Sequence, residues 1–225
     1  MTDMVDKKAS STRLEIILAA AHEFAVKPYS SVNLDDILAH ADVTKGAMYT
    51  HFRSKSALAK AIVEHRAELV RASLDEMETP SSSALETLID VCYLIATADI
   101  GEDMARAALN LLESIGRFDG FQANVVDTWV SRFADRIRQA IAEGDVRNTS
   151  DPVAVGRLIV SMYLGLRQTS NLDQPKTMIV DLEAAWLVVL PGFVDPHRLD
   201  YLRGFIRRRS ALAIGNTAPL VNGNL

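Results

Sequence analysis

The chain has 225 residues, 48% of them hydrophobic and 24% charged, the balance of a globular protein with a sizeable core. A net charge of −5 argues against a protein that coats nucleic acid by charge alone, and a single cysteine, Cys92, excludes an internal disulfide and fits a reducing cytoplasm. No apolar run is long enough to span a bilayer, and the first ten residues lack the apolar core of a signal peptide, so a cytoplasmic protein without a membrane partner is expected.

Apolar residues recur with the helical period of about 3.6 almost throughout, and no run alternates as a strand does, so the fold class is all-α. The first helix is expected from Thr12, where T-x-x-E with Glu15 reads as a capping box. Leu14, Ile17, Leu18, Ala21 and Phe24 form its apolar face, and Pro28 and Tyr29 end it. The second helix starts at Asn33, a good N-cap, and presents Leu34, Ile37, Leu38 and Ala41. A tight turn leads to a third helix from Thr44, after which Phe52 closes a three-helix core with Phe24 and Leu38.

Two short helices joined by a turn of about four residues are the minimal unit that presents a helix to the major groove. The stretch T-K-G-A-M-Y-T-H-F-R-S-K at 44–55 is small and polar. Thr44, Lys45, Tyr49, Thr50 and His51 can hydrogen-bond from its exposed side, and Gly46 lets backbone come close to a phosphate or base edge. Residues 1–54 are therefore expected to be a DNA-binding head. Residues 1–66 hold nine Lys/Arg against eight Asp/Glu, so this head must rely on placed contacts and on dimerisation rather than on bulk charge.

A fourth helix, 55–77, can be capped by Ser54 and is expected to connect head to body as a rod. T-P-S-S-S at 79–83 marks a break, and 78–210 is expected to be a ligand-binding and dimerisation domain. Its helices are expected at about 84–98, 102–115, 121–143, 152–170, 177–190 and 196–209. Gly144 is a stop signal and Asp151-Pro152 an N-cap followed by N1. Arg207, Arg208 and Arg209 are read as ending the last helix favourably, with 211–225 as a tail that has little to bury. Two apolar stripes, Val155, Leu158, Ile159, Met162 and Leu166, then Ile179, Leu182, Trp186 and Leu190, are wide enough to serve two sides.

Signals for catalysis are weak. The histidines (22, 40, 51, 65, 197) have no compact ligand spacing, and there is no glycine-rich phosphate loop or G-x-S-x-G elbow. No enzyme activity, cofactor or metal is expected. The rival reading, a helical enzyme or carrier for an apolar small molecule, lacks an acid, base or nucleophile and must treat the head as mere packing.

The segments R-L-E-I-I-L-A-A-A-H-E-F at 13–24 and L-D-D-I-L-A-H-A-D-V-T-K-G-A-M-Y-T-H-F-R-S-K-S-A-L at 34–58 resemble the TetR family of transcriptional repressors. Two positions depart from the family pattern: Pro28 and Asp42 stand where glycine is usual. The resemblance implies that Tyr49 and Lys55 touch phosphates with His51 and Thr44 nearby, while Lys45, Gly46 and Thr50 face base edges. Lys55, in the first turn of its helix, would bring an ammonium and backbone N–H groups to one phosphate. R-A-A-L-N-L-L at 106–112, Trp129, A-E-G-D-V at 142–146 and A-W-L-V-V-L-P-G-F-V-D-P-H-R-L at 185–199 resemble the γ-butyrolactone receptor branch. This implies a hydrophobic pocket for a small lactone or furan-like effector, with Trp129 against its ring and Tyr93, Leu109, Met162, Tyr163 and Arg66 around it. On the residues alone, Trp129 one turn from Val125, Val126 and Phe133 reads as core. The resemblance also implies a homodimer built on the two apolar stripes, and a near-palindromic double-stranded operator.

Overall fold

The computed structural model describes residues 2–77, 82–115, 120–172 and 174–217, and these are helical with no strand among them. The elements are α1 (Thr2–Val26), α2 (Leu34–Ala41), α3 (Lys45–His51), α4 (Lys55–Met77), α5 (Ala84–Gly101), α6 (Asp103–Ile115), α7 (Phe121–Ala142), α8 (Pro152–Thr169), α9 (Pro175–Val189) and α10 (Leu199–Asn216). Short 3-10 turns lie at Tyr29–Ser31 and Leu190–Gly192, and a lone bridge pairs Val146 with Val194. The break expected at 79–83 lies in part outside the described residues.

Two helices are longer than expected. α1 runs back to Thr2, so the capping box at Thr12 does not form; instead Ser11 Oγ donates to Glu15 Oε1 at 3.0 Å. Nothing between 2 and 11 breaks a helix, since neither glycine nor proline occurs there. α10 continues to Asn216 with Ala213 buried, so the three arginines lie inside the helix and the first part of the expected tail is helical; the tail's residues 218–225 lie outside the described ones.

The chain divides into two compact units. The first holds residues through Arg71 together with Glu102–Gln122; the second holds Ala72–Gly101 and the chain from Ala123 onward. The expected boundary after α4 therefore moves, because α6 packs along α1. Asn110 Nδ2 of α6 donates to the carbonyls of Phe24 at 3.1 Å and Ala25 at 3.3 Å, satisfying oxygens that the end of α1 leaves open.

In the first unit, Ile16, Ile17, Ala20, Phe24, Ile37, Met48, Phe52, Leu58 and Ile62 are buried. Phe52 joins Phe24 in this core as expected, but Leu14 and Leu18 do not: they are exposed, and Ile16 and Ala20 take the inner face of α1. Side-chain caps order the short helices. Asn33 Oδ1 accepts from Asp35 N at 3.2 Å, Thr44 Oγ1 from Ala47 N at 3.2 Å and Ser54 Oγ from Ala57 N at 3.1 Å.

In the second unit, Leu85, Leu88, Ile89, Val130, Ala134, Ile137, Ile159, Leu202 and Ile206 are buried. Cys92 is buried with them, and burial alone pushes its thiol up to about 12, leaving an inert filler. Asp151 Oδ1 caps α8 through Val153 N at 2.9 Å with Pro152 at the first position, and Gly144 takes φ +84 after α7. Ile179, Leu182, Trp186 and Leu190 are fully buried within the subunit. The expected stripe on α9 is therefore intramolecular core. The apolar surface left outside on α8 and α9 is Val153, Leu158, Val180 and Val188, the last 78% exposed.

Candidate functional site

The turn between α2 and α3 is made by Asp42, which closes α2 in the left-handed region at φ 51, ψ 43. It is the one non-glycine residue with positive φ among those described, and its carboxylate is of the type that tolerates this conformation best. Val43 N donates back to Leu38 O at 3.2 Å, and Thr44 then caps α3. The effect is to set α3 at a defined angle with Met48 as its buried anchor.

The opposite side of α3 faces solvent. Lys45, Gly46, Tyr49 and Thr50 are exposed, Tyr49 by 45%. Thr50 Oγ1 donates to Gly46 O at 3.0 Å, which leaves its lone pairs outward. A side chain at Gly46 would meet nothing closer than Thr44 Oγ1 at 4.0 Å, so packing within the chain does not demand a glycine there. What its absence of a side chain provides is open backbone on the exposed face. His51 is half-buried with its ring centroid 6.4 Å from that of Phe52.

Lys55 stands apart from this surface. Its Nζ donates to Val32 O at 2.6 Å and lies 4.5 Å from the centroid of the Tyr29 ring, and burial pulls its pKa down. It clamps the segment between α1 and α2, and contact with a phosphate would require it to leave Val32. Arg53, exposed just after α3, is a cation to which the sequence reading assigned no role.

The six expected effector residues divide between the units. Leu109 is buried on α6 and Arg66 pairs with Glu102 at 3.6 Å in the first unit. Trp129 and Met162 are half-buried, and Tyr93 and Tyr163 buried, in the second. Along α7, Val125, Val126, Trp129 and Phe133 form a half-buried apolar stripe beside the buried Val130, Ala134 and Ile137. α8 presses against α7 at Gly156, where a Cβ would come within 3.1 Å of both Ala134 N and Val130 O. The Tyr93 hydroxyl is pushed up by burial first and then by the negative charge of Glu183, while the Ser210 hydroxyl acts the other way.

A buried ion pair was missed. Arg167 Nε donates to Asp99 Oδ2 at 2.9 Å with side chains 5% and 0% exposed, and Tyr163 Oη reaches the same oxygen at 3.5 Å. Asp99 within the apolar I-A-T-A-D-I-G run, and Arg167 one turn after Tyr163, were signals in the sequence. A cleft of about 530 Å³ opens in the first unit, with Glu15, Leu18, His22, His40, Glu102 and Asp103 among its walls. None of the six expected effector residues lines it.

Comparison with known proteins places these features in a family context. Residues 16–62 match the model for bacterial regulatory proteins, tetR family. The chain is 29% identical over 197 residues to the A-factor receptor protein of Streptomyces griseus, covering 87% of this chain and 68% of that one. It is 31% identical over 158 residues to the transcriptional regulator AcuR of Cereibacter sphaeroides, covering 65% of this chain and 70% of that one. Its structure is similar to a crystal structure of a gamma-butyrolactone receptor (ArpA-like protein) with TM-score 0.75 and 27% identity, over 91% of this chain and 99% of that one.

Proposed function

Because the chain belongs to the TetR family of bacterial regulatory proteins, we propose that it represses transcription as a homodimer on a near-palindromic operator and is released by a small hydrophobic effector. The chain is a DNA-binding transcription regulator of the γ-butyrolactone receptor branch and not an enzyme. The effector in our reading has γ-butyrolactone-like or furan-like chemistry. No described helix is long and apolar enough to cross a membrane, and a cytoplasmic site of action follows from the operator.

The observation that carries the reading is the α2–turn–α3 unit: a left-handed Asp42 turn, a buried Met48 anchor, and Lys45, Gly46, Tyr49 and Thr50 exposed on one side. In our assignment Tyr49, with Thr44 and His51 beside it, meets phosphates, and Lys45, Gly46 and Thr50 meet base edges. Arg53 supplies a second phosphate contact, and Lys55 holds the head together. The apolar surface of Val153, Leu158, Val180 and Val188 is the dimer contact. Two α3 helices of a dimer must meet successive major grooves about 34 Å apart. An effector lowers operator affinity by binding better to states that lack this spacing, and only by that difference in affinity.

For the effector, the half-buried stripe around Trp129 supports an apolar wall, and Tyr163 with the Asp99–Arg167 pair supports a polar end for a carbonyl or hydroxyl. The test is a gel-shift with fragments of the protein's own promoter, titrated with butyrolactones and furans. The parent should bind and be released. Trp129→Ala should bind equally and resist release, since it loses apolar contact worth roughly 2–4 kcal/mol, part of it packing. A fully inducible variant moves the effector away from Trp129. A parent that no such compound releases removes the butyrolactone reading and leaves the DNA-binding one.

A further inference from the structure

The sequence offers no histidine pair at ligand spacing, yet folding brings two together. His22 on α1 and His40 at the end of α2 have ring centroids 4.8 Å apart. One ligand atom from each, with one carboxylate oxygen of Glu23, lie within 4.8 Å of one another. His22 Nδ1 meets Asp103 Oδ2 of α6 at 2.7 Å, so this nitrogen donates and Nε2 is left as the ligand. A carboxylate that fixes the far nitrogen of an imidazole is the usual outer support of a metal-bound histidine. We infer that His22, His40 and Glu23 form a binding site for a divalent transition-metal ion of zinc-like preference, with Asp103 positioning His22.

Ligand chemistry decides the class of ion. Two imidazoles and one carboxylate suit zinc, cobalt or nickel, whereas calcium and magnesium require oxygen donors. A tetrahedral zinc ion with bonds of about 2.0–2.1 Å sets its ligand atoms roughly 3.4 Å apart, so the three side chains must draw in around the ion. His40 is exposed and His22 half-buried, which leaves these two free to close on Glu23, whose side chain is 12% exposed. Lys27 occupies one Glu23 oxygen, Oε2, at 2.7 Å, which leaves the other for the ion. His22 and His40 line the 530 Å³ cleft, whose walls also include Glu15, Asp103 and the Arg66-paired Glu102, so a cation can reach the histidines from it. Water supplies the fourth position. Since His40 stands two residues before the Asp42 turn, a bound ion would tie α1 to the end of α2 that leads into that turn.

The test uses the full-length chain after EDTA treatment, titrated with zinc against a chromophoric chelator and with cobalt(II) read by its visible absorption. One ion per chain is expected. His22→Gln and His40→Gln should each weaken binding at least tenfold, and Asp103→Asn about tenfold, at the low end for loss of an outer partner. His197→Gln, an exposed histidine elsewhere, should leave binding unchanged. Zinc should raise the Tm of the parent and not that of the His22→Gln/His40→Gln double variant. Zinc bound no more tightly by the parent than by the double variant overturns the inference, as does a loss of affinity that follows His197. Should the double variant unfold, the exposed His40→Gln variant, its fold checked by circular dichroism, decides alone.

Discussion

At the scale of single residues, the outer side of α3 separates two kinds of DNA contact. Tyr49 is 45% exposed, and the neighbouring Met48 holds the helix in place without it. Tyr49→Phe should weaken specific and non-specific DNA binding alike by about 1 kcal/mol, with Tm unchanged, as read by fluorescence anisotropy on operator and random duplexes. Lys45→Ala should reduce operator binding more than random-duplex binding; a uniform loss with a shallower salt dependence would move Lys45 to the phosphate class. The exposure of these residues was legible because an amphipathic period places Met48 inward and its neighbours outward. Lys55 was not legible in the same way. Its partner, Val32 O, belongs to backbone between two helices, and no side-chain pattern announces a carbonyl at 2.6 Å.

At the scale of elements, three of the expected side-chain caps were readable from residue type. Asn33, Ser54 and Asp151 accept the helix-opening N–H groups that their side chains suit, and Gly144 takes the left-handed stop. The T-x-x-E at Thr12 misled, because the same residues can sit inside a helix, so α1 starts earlier than it suggested, and α10 runs past the arginines expected to end it. Gly156 has a role that only packing reveals. Its missing Cβ lets α8 approach α7 where Ala134 N and Val130 O would sit 3.1 Å from it, and backbone atoms cannot swing away as a side-chain tip can. Gly156→Val should force the two helices apart and cost about 1–3 kcal/mol by overpacking. Thermal unfolding followed by circular dichroism measures this, and a Tm equal to the parent's would show that α8 shifts freely.

At the scale of the whole molecule, the apolar stripes on α8 and α9 face two ways. Trp186 is fully exhausted by the subunit's own core, while Val188, two residues on, is 78% exposed. Val188→Arg should therefore give monomers in sedimentation, with helix content kept and operator binding lost. Trp186→Arg should instead unfold the second unit, because an unpaired charge in that core costs far more than a domain's margin can absorb. A folded dimeric Val188→Arg protein would place the contact between subunits elsewhere on the surface.

By itself, the sequence determined the helical class, the position of the recognition turn and the residues that crown it. These follow from periodicity, capping chemistry and turn residues, all of them interactions among neighbours in the chain. Asp42 takes the left-handed conformation at that turn, which its short carboxylate side chain tolerates. Tertiary structure alone decided which apolar residues of α8 and α9 are core and which are surface, that α6 sides with α1, and that Asp99 pairs with Arg167. It alone brought His22, His40 and Asp103 to one cleft from three helices, with Glu23 beside the two histidines. The physical reason is that a helical period fixes which way a side chain points on its own helix, whereas the partner it meets is set by how the helices pack.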